Sequence, residues 1–383
     1  MRILFVAPRF HTNQYQLVKT LQENMHEIYF HVSYLGPTED HSLLTPVNYK
    51  QSKVSLLVEK VIGDVEKKRP FYYYFPNIVN YWKEFKSLKP AVVVIRDPYT
   101  CFSLVAAFCA LFNKSKIIFY TQEELNRYRT TFTFFKQMLT ISFFKAAWMT
   151  PLLGEHHFKH PKHMYYVPLP IPIQSANILV GKESITVPHF LMIGKYHQER
   201  KKHLLLLEAV SILKDRYKFK VTMAGECVTK KQMERYRMIE DLVQRKCLSN
   251  FVELKTNVPF PQMAELYASH HVFVLPSINE PYSISVLEAL AYGLPVICTD
   301  TCGSSIHIRN NENGFIVKSS SLEELTAALE AFLSNASKVR AMSSKALSYV
   351  EQNLSGQACY SKFSGLIEKR FKIQTPKREK DLN

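Results

Sequence analysis

The chain has 383 residues, 46% of them apolar, with 49 lysines and arginines against 33 aspartates and glutamates. That length favours two domains with sizeable cores, the apolar content is ordinary for a soluble globular protein, and no apolar run reaches the ~18 residues needed to cross a bilayer. The net charge of +16 points to an anionic partner: nucleic acid, anionic lipid or a phosphorylated substrate. Cys101, Cys109, Cys227, Cys247, Cys298, Cys302 and Cys359 form no CxxC pair, so free thiols in a reducing cytosol are expected. Cys298 and Cys302 have no further His or Cys at ligand spacing nearby, which argues against a metal pair.

Apolar runs place the elements in chain order. Residues 2–7 read as a buried strand, and the opening MRILFVAPRF lacks the charged region and cleavage site of a signal peptide. A helix over 14–25 and a strand over 27–35 follow, then helices over 52–68 and 77–88. Strands are expected at 90–98 and 114–124, with helices over 102–112 and 132–147, and residues 163–172 close the half. The second half restarts with a strand over 189–195, a helix over 204–215, a strand over 219–225, a basic helix over 230–246 and a strand over 251–255. After a short helix over 263–269 come strands at 272–275 and 295–298 with a helix between them carrying Val286, Leu287 and Leu290 inward. A strand over 314–318 and three helices complete the chain. The resulting division is 1–172, a linker over 173–187, a second domain over 188–355, a helix over 356–373 expected to pack back on the first domain, and a polar tail over 374–383 expected to be disordered.

The lysine and arginine excess is spread along the chain, with clusters at Lys67-Lys68-Arg69, Arg200-Lys201-Lys202 and Lys377-Arg378. The first runs into Pro70-Phe71-Tyr72-Tyr73-Tyr74-Phe75-Pro76. Basic residues beside aromatics suit a membrane headgroup zone or base stacking. No nucleic-acid motif appears, so the anionic membrane surface is preferred and no nucleic-acid partner is expected. The first strand-to-helix junction, residues 8–14, has no glycine, and no GxxxxGK[ST] occurs, so dinucleotide and P-loop readings fall. There is no Asp-x-Asp, and neither a metal nor another cofactor is expected.

The richest segment is HVFVLPSINEPYSISVLEALAYGLPVICTD. A strand ends at Pro276, a polar loop carries Glu280, and the helix carries Glu288. In a parallel sheet the ligand lies at the carboxyl ends of the strands, so Glu280 faces it and Glu288 reaches the same crevice. The amides of Ser283, Ile284 and Ser285, after Tyr282, open the helix and are expected to meet an anion. Two acids around an anion cradle suit a nucleotide sugar. A second cluster follows the strand at 189–195: Gly194, Lys195 and, six residues on, Lys201, with Arg200 as the alternative. Two cations at the mouth of a parallel sheet can clamp a pyrophosphate and stabilise its departure.

These residues resemble the family 4 glycosyltransferases of the GT-B fold: Pro276-Ser277, Glu280-x7-Glu288, Ala289, Ala291, Gly293, Pro295-Val296-Ile297, and Gly194-Lys195 with Lys201. The likeness is close over 188–335 and extends to 1–150 only in strand–helix order. It implies an α/β GT-B fold, two Rossmann-like parallel-sheet domains facing each other across a cleft, the first for an acceptor and the second for a nucleotide sugar. It implies metal-independent transfer of a hexose from a UDP- or GDP-linked donor, with retained configuration, to a lipid-linked or saccharide acceptor in cell-surface polysaccharide, lipopolysaccharide or glycolipid synthesis. Under it Glu280, Lys201 and Gln122 are catalytic, and Lys195, Arg200, Tyr282, Ser283, Ile284, Ser285, Glu288 and Gly225 bind the donor. A cytoplasmic protein, peripheral on the inner face of the membrane, is the expected setting. The chain departs from the family pattern where the first loop lacks its Gly-Gly, Gln122 stands where a His is usual, Ser283 replaces a Gly, Cys302-Gly303 replaces a Gly-Gly, and Ile306 replaces a Glu. A Gln holds a hydroxyl but takes no proton. An inactive donor-binding partner of another transferase and a nucleotide-sugar epimerase on the same fold are the alternatives.

Overall fold

The computed structural model describes residues 1–10, 12–36, 41–62, 72–125, 130–154, 161–173 and 187–375. The chain divides into two compact units: Met1–Pro170 together with Gly356–Asn383, and Ile171–Ser355. Lys67-Lys68-Arg69 with Pro70 and Phe71, most of the expected linker, and the tail from residue 376 lie outside the described residues.

In the first unit, in chain order, are β1 (Arg2–Ala7), α1 (Thr12–Glu23), β2 (Glu27–Val32), β3 (Val47–Asn48), α2 (Lys53–Ile62), α3 (Ile78–Leu88) and β4 (Val92–Arg96). Then come α4 (Cys101–Phe112), β5 (Lys116–Tyr120), α5 (Thr131–Phe143), β6 (Ala147–Thr150) and β7 (Met164–Tyr166). The seven strands form one parallel sheet in the order β3-β2-β1-β4-β5-β6-β7. Strands buried on both faces need apolar side chains at every position, and β4, VVVIR, is buried throughout. One face is covered by Leu17, Val18 and Leu21 of α1, the other by Phe102, Ala106 and Ala110 of α4 and Tyr81 and Phe85 of α3.

The second unit holds β8 (His189–Ile193), α6 (His203–Leu213), β9 (Lys220–Gly225), α7 (Lys230–Arg245), β10 (Val252–Thr256), α8 (Met263–Ala268) and β11 (Val272–Leu275). It continues with α9 (Ile284–Ala291), β12 (Val296–Thr299), β13 (Gly314–Val317), α10 (Leu322–Leu333) and α11 (Ser337–Asn353). Its parallel sheet runs β10-β9-β8-β11-β12-β13. Each sheet changes direction beside its first strand, between β1 and β4 and between β8 and β11. In a doubly wound sheet the crevice at that switch point is where ligands sit. The last helix, α12 (Gly356–Phe371), returns to the first unit. Its Tyr360, Phe363, Leu366 and Ile367 join the core with α1, and Arg370 Nε donates to Ala146 O at 3.0 Å.

Two elements differ from the sequence reading. The expected helix over 132–147 ends at Phe143, and Ala147–Thr150 is a buried strand. Ala146 and Ala147 suit helix and buried strand alike, and the break is a left-handed Lys145 (φ 49°). The two-residue strand β3 carries no period and was not expected. Lys145 is one of four lysines that stop an α-helix in this way, since Lys89 (φ 48°), Lys114 (φ 59°) and Lys372 (φ 61°) follow α3, α4 and the last helix in the same conformation. Glycine is usual there, but this chain has only 11. A left-handed backbone costs an L residue about 1–2 kcal/mol, offset in part by the ~0.4–1 kcal/mol that a glycine would add to unfolded-state entropy. Lys89→Gly should therefore raise stability by about 0.5–1 kcal/mol, read from the denaturant midpoint. A fall would mean that the lysine's interaction with the helix C-terminus outweighs its backbone strain.

Candidate functional site

At the switch point of the second unit, the loop after β8 meets the loop after β11. A short 3-10 turn, Glu199–Lys201, sets Arg200 and Lys201 side by side. Lys201 Nζ donates to Glu280 Oε2 at 2.6 Å, and Arg200 Nη1 donates to the same oxygen. Glu280 and Lys201 are buried and Arg200 is partly exposed. The backbone fixes this encounter. Ile278 N–H donates to Arg200 O at 2.7 Å, and Gly303 N–H to Glu280 O at 2.8 Å. Three loops thus converge on one carboxylate. The aliphatic part of Lys201 lies over Gly194, where a Cβ would stand 3.2 Å from its Cγ and Cδ. Gly225 is tighter still: a Cβ there would lie 2.5 Å from Gly194 O and 2.9 Å from the Tyr196 ring. That ring is pinned by its own hydroxyl, which donates to Met223 O at 2.6 Å.

Several expected residues sit differently. The cations gathered on Glu280 are Arg200 and Lys201, while Lys195 pairs with Glu226 at 2.5 Å on the surface. Spacing along the chain suggested Lys195 with Lys201; the 3-10 turn and the acid at the end of β9 decide otherwise. The Ser283 amide does not stand open to an anion, because it donates to Ser304 Oγ at 2.8 Å, and that hydroxyl donates back to Ser283 O at 3.0 Å. Nor does the Ser283 side chain cap α9; its Oγ lies 2.9 Å from Ser285 Oγ. Ile284 opens the helix. Tyr282 Oη lies 3.4 Å from Nε2 of the buried His307, whose Nδ1 lies 3.1 Å from Tyr349 Oη. Glu288, half-buried on α9, accepts from Tyr267 Oη at 2.6 Å. Burial raises its carboxyl above the ordinary 4.5, and the Tyr267 hydrogen bond opposes this.

Gln122 belongs to the first unit, beyond the end of β5. It lines a cavity of about 470 Å³ together with Pro8, Asp97, Tyr99, Glu123 and Trp148. This cavity marks the switch point of that sheet, since Pro8 follows β1 and Asp97 follows β4. Arg96 Nη2 reaches Gln122 Oε1 at 3.5 Å, and Arg96 Nε lies 3.6 Å from Asp97. Trp148 Nε1 donates to Thr121 Oγ1 at 2.9 Å, and Gln137 Nε2 to Glu123 Oε2 at 3.0 Å. Sequence reasoning missed Glu226, Ser304, Tyr267 and the Arg96–Asp97 pair. Only the last carried a local signal: two charges directly after a buried strand. Among the described residues no three His, Cys, Asp or Glu side chains gather as a metal site, and no helix is long and apolar enough to cross a membrane.

Residues 182–348 match the family model for glycosyl transferases group 1. Among curated proteins, a D-inositol 3-phosphate glycosyltransferase of Thermobispora bispora is 23% identical over 160 residues, 41% of this chain and 37% of that protein. The chain thus spans little more than a third, or less, of the length of such relatives. Among solved structures, Anabaena Alr3699/HepE, crystallised with UDP and with UDP-glucose, superposes with a TM-score of 0.73 for the UDP complex at 12% identity. That alignment covers 96% of this chain and 100% of the other. A lipopolysaccharide outer core galactosyltransferase, WaaB, in apo form, gives 0.66 at 14% identity over 97% and 100%. The fold is GT-B.

Glu288→Gln keeps an acceptor for Tyr267 and removes the buried charge. Because the folded value is raised, the stability of the neutral acid is complete below the unfolded value of 4.5 and is lost as pH rises through the folded one. The variant's thermal midpoint should match wild type near about pH 4 and exceed it at about pH 8. An equal gap at both would mean that the Glu288 charge is not what burial penalises.

Proposed function

We propose, from the membership of residues 182–348 in the glycosyl transferases group 1 family, that the protein transfers a hexose from a UDP- or GDP-linked donor. Retained configuration, a lipid-linked or saccharide acceptor, and a place in cell-surface polysaccharide or glycolipid synthesis complete the reading. One observation carries it: Arg200 and Lys201 converge on Glu280 at the switch point of the second sheet. The two cations hold the space a diphosphate needs, and in the free protein Glu280 neutralises them. An incoming diphosphate takes over the cations and frees Glu280 to bind hydroxyls of the sugar. Glu288 holds the ribose, and the strand end at Gly225, packed against Gly194 O and the Tyr196 ring, frames the nucleobase.

In the transfer step the bond between the anomeric carbon and the leaving phosphate oxygen breaks. Charge grows on that oxygen, where Arg200 and Lys201 stabilise it. The acceptor hydroxyl bonds to the anomeric carbon on the same face, and its proton passes to the departing phosphate. This route asks for no proton acceptor at position 122, where Gln122 binds a hydroxyl instead. Neutralisation by side chains also fits a metal-independent reaction, with Lys195 as a further cation at the rim. The bound UDP of the Anabaena protein, on the same fold, supports a nucleotide donor. Gln122 also favours a second reading, a donor-binding partner that does not transfer.

Thermal shift against UDP, GDP, ADP and their sugar conjugates, with and without EDTA, tests the donor site. One nucleotide should raise the midpoint irrespective of EDTA, and silence with all of them would remove the donor assignment. Lys201→Ala should weaken that nucleotide by about 10–100-fold, the loss of one charged hydrogen bond. Glu280→Ala should abolish transfer while the nucleotide still binds. Wild-type turnover in that variant would take Glu280 out of the mechanism. A wild-type protein that binds donor but never turns it over would favour the second reading.

A further inference from the structure

On the outer helices of the first unit, aromatic rings are exposed in an unusual arrangement. On α5, Phe132, Phe135, Leu139 and Phe143 follow helical spacing and form one stripe. They are exposed by 76%, 59%, 53% and 59%. Neighbouring α4 adds Phe108 and Phe112, one turn apart, the latter 69% exposed. Ring contacts join the helices into one surface. Phe108 meets Phe143 at 6.1 Å, and Phe112 meets Trp82 of α3 at 5.9 Å. Single exposed apolar residues need no explanation, whereas a contiguous patch marks an interaction site.

The charges around the patch select the partner. Neither α4 nor α5 carries an acidic residue, and their one charged side chain is Lys136. Each stripe ends two residues before an exposed lysine, Phe112 before Lys114 and Phe143 before Lys145, and Lys116 is exposed as well. Both Lys114 and Lys145 occupy the left-handed position where glycine is usual.

We propose that the joint face of α4 and α5 docks the protein on an anionic phospholipid bilayer, with the phenylalanines at the acyl boundary and Lys114, Lys116 and Lys145 among the headgroups. Helices of 12 and 13 residues are too short to span, so they lie in the plane of the interface. A bilayer supplies both things the patch asks for, an apolar phase and negative charge. A second copy of the chain supplies only the first, because a two-fold contact of α4 and α5 would set lysine against lysine, and neither helix carries an acid to meet it. The inference is independent of the transferase reading.

Flotation of the full-length protein with phosphatidylcholine vesicles, with and without phosphatidylglycerol, tests it. Wild type should float with the anionic vesicles, less so at high salt. The combined variant Phe132→Ser, Phe135→Ser and Phe143→Ser should lose at least about ten-fold in bound fraction. Lys114→Gln with Lys145→Gln should weaken flotation and flatten its salt dependence. All these side chains are exposed, so circular dichroism and the nucleotide-induced thermal shift should be unchanged. Two outcomes overturn the proposal: wild type that stays with the unbound fraction, or a triple serine variant that floats like wild type. A wild-type dimer, without vesicles, that becomes monomeric in the serine variant would assign the face to a second copy instead.

Discussion

The second unit is organised around one carboxylate facing two cations. Glu280 lies at the meeting of three loops, those after β8, β11 and β12, and its Oε2 accepts from both Arg200 and Lys201. Without it, two positive side chains would be held together, one of them buried, with nothing to neutralise them. Removing one partner of a buried pair typically costs about 3–5 kcal/mol. The main-chain bonds from Ile278 to Arg200 and from Gly303 to Glu280 keep the loops in register, so the charges do not depend on flexible side chains alone. Under the proposed function the arrangement suits exchange: both cations have already lost part of their hydration, so an incoming diphosphate would meet them at a lower cost than it would meet solvated side chains.

Close packing of glycines and a tyrosine supports that centre. Gly194 admits the stem of Lys201, and Gly225 admits Gly194 O and the Tyr196 ring. Two of only 11 glycines are thus spent within a few ångströms of each other. At several helix ends lysines accept the left-handed backbone that glycine usually takes. Glycine is kept here for close approach, which no other residue allows.

The parallel sheets were legible because strands buried on both faces announce themselves as continuous apolar runs, as in Val92–Ile95 and Val272–Leu275. The β11–α9–β12 unit was legible because Glu280, Glu288 and the Gly-Leu-Pro-Val turn fall at fixed places along the chain. What escaped was decided by contacts between distant residues. No local pattern says that Ser304 will take the Ser283 amide, or that Glu226 will claim Lys195 and leave Arg200 to join Lys201. Ala146 and Ala147 escaped for another reason, since alanine is as ready for a helix as for a buried strand. The masking of β6 by a helical pattern also hid Trp148, which walls the cavity of the first unit.

That cavity gives the first sheet a switch point of different chemistry. Carboxylates and aromatic rings, Asp97, Glu123, Tyr99 and Trp148, take the place that Arg200 and Lys201 hold in the second. Arg96, at the end of β4, is turned to Asp97 and Gln122. Carboxylates repel phosphate and accept from hydroxyls, and flat rings suit the apolar faces of a saccharide. One chain therefore repeats a single architecture with different chemistry at equivalent points, two cations sharing one acid in the second unit, and carboxylates with aromatic rings beside Arg96 in the first. A doubly wound sheet fixes only where a ligand sits, and the few side chains just past the strand ends fix which kind.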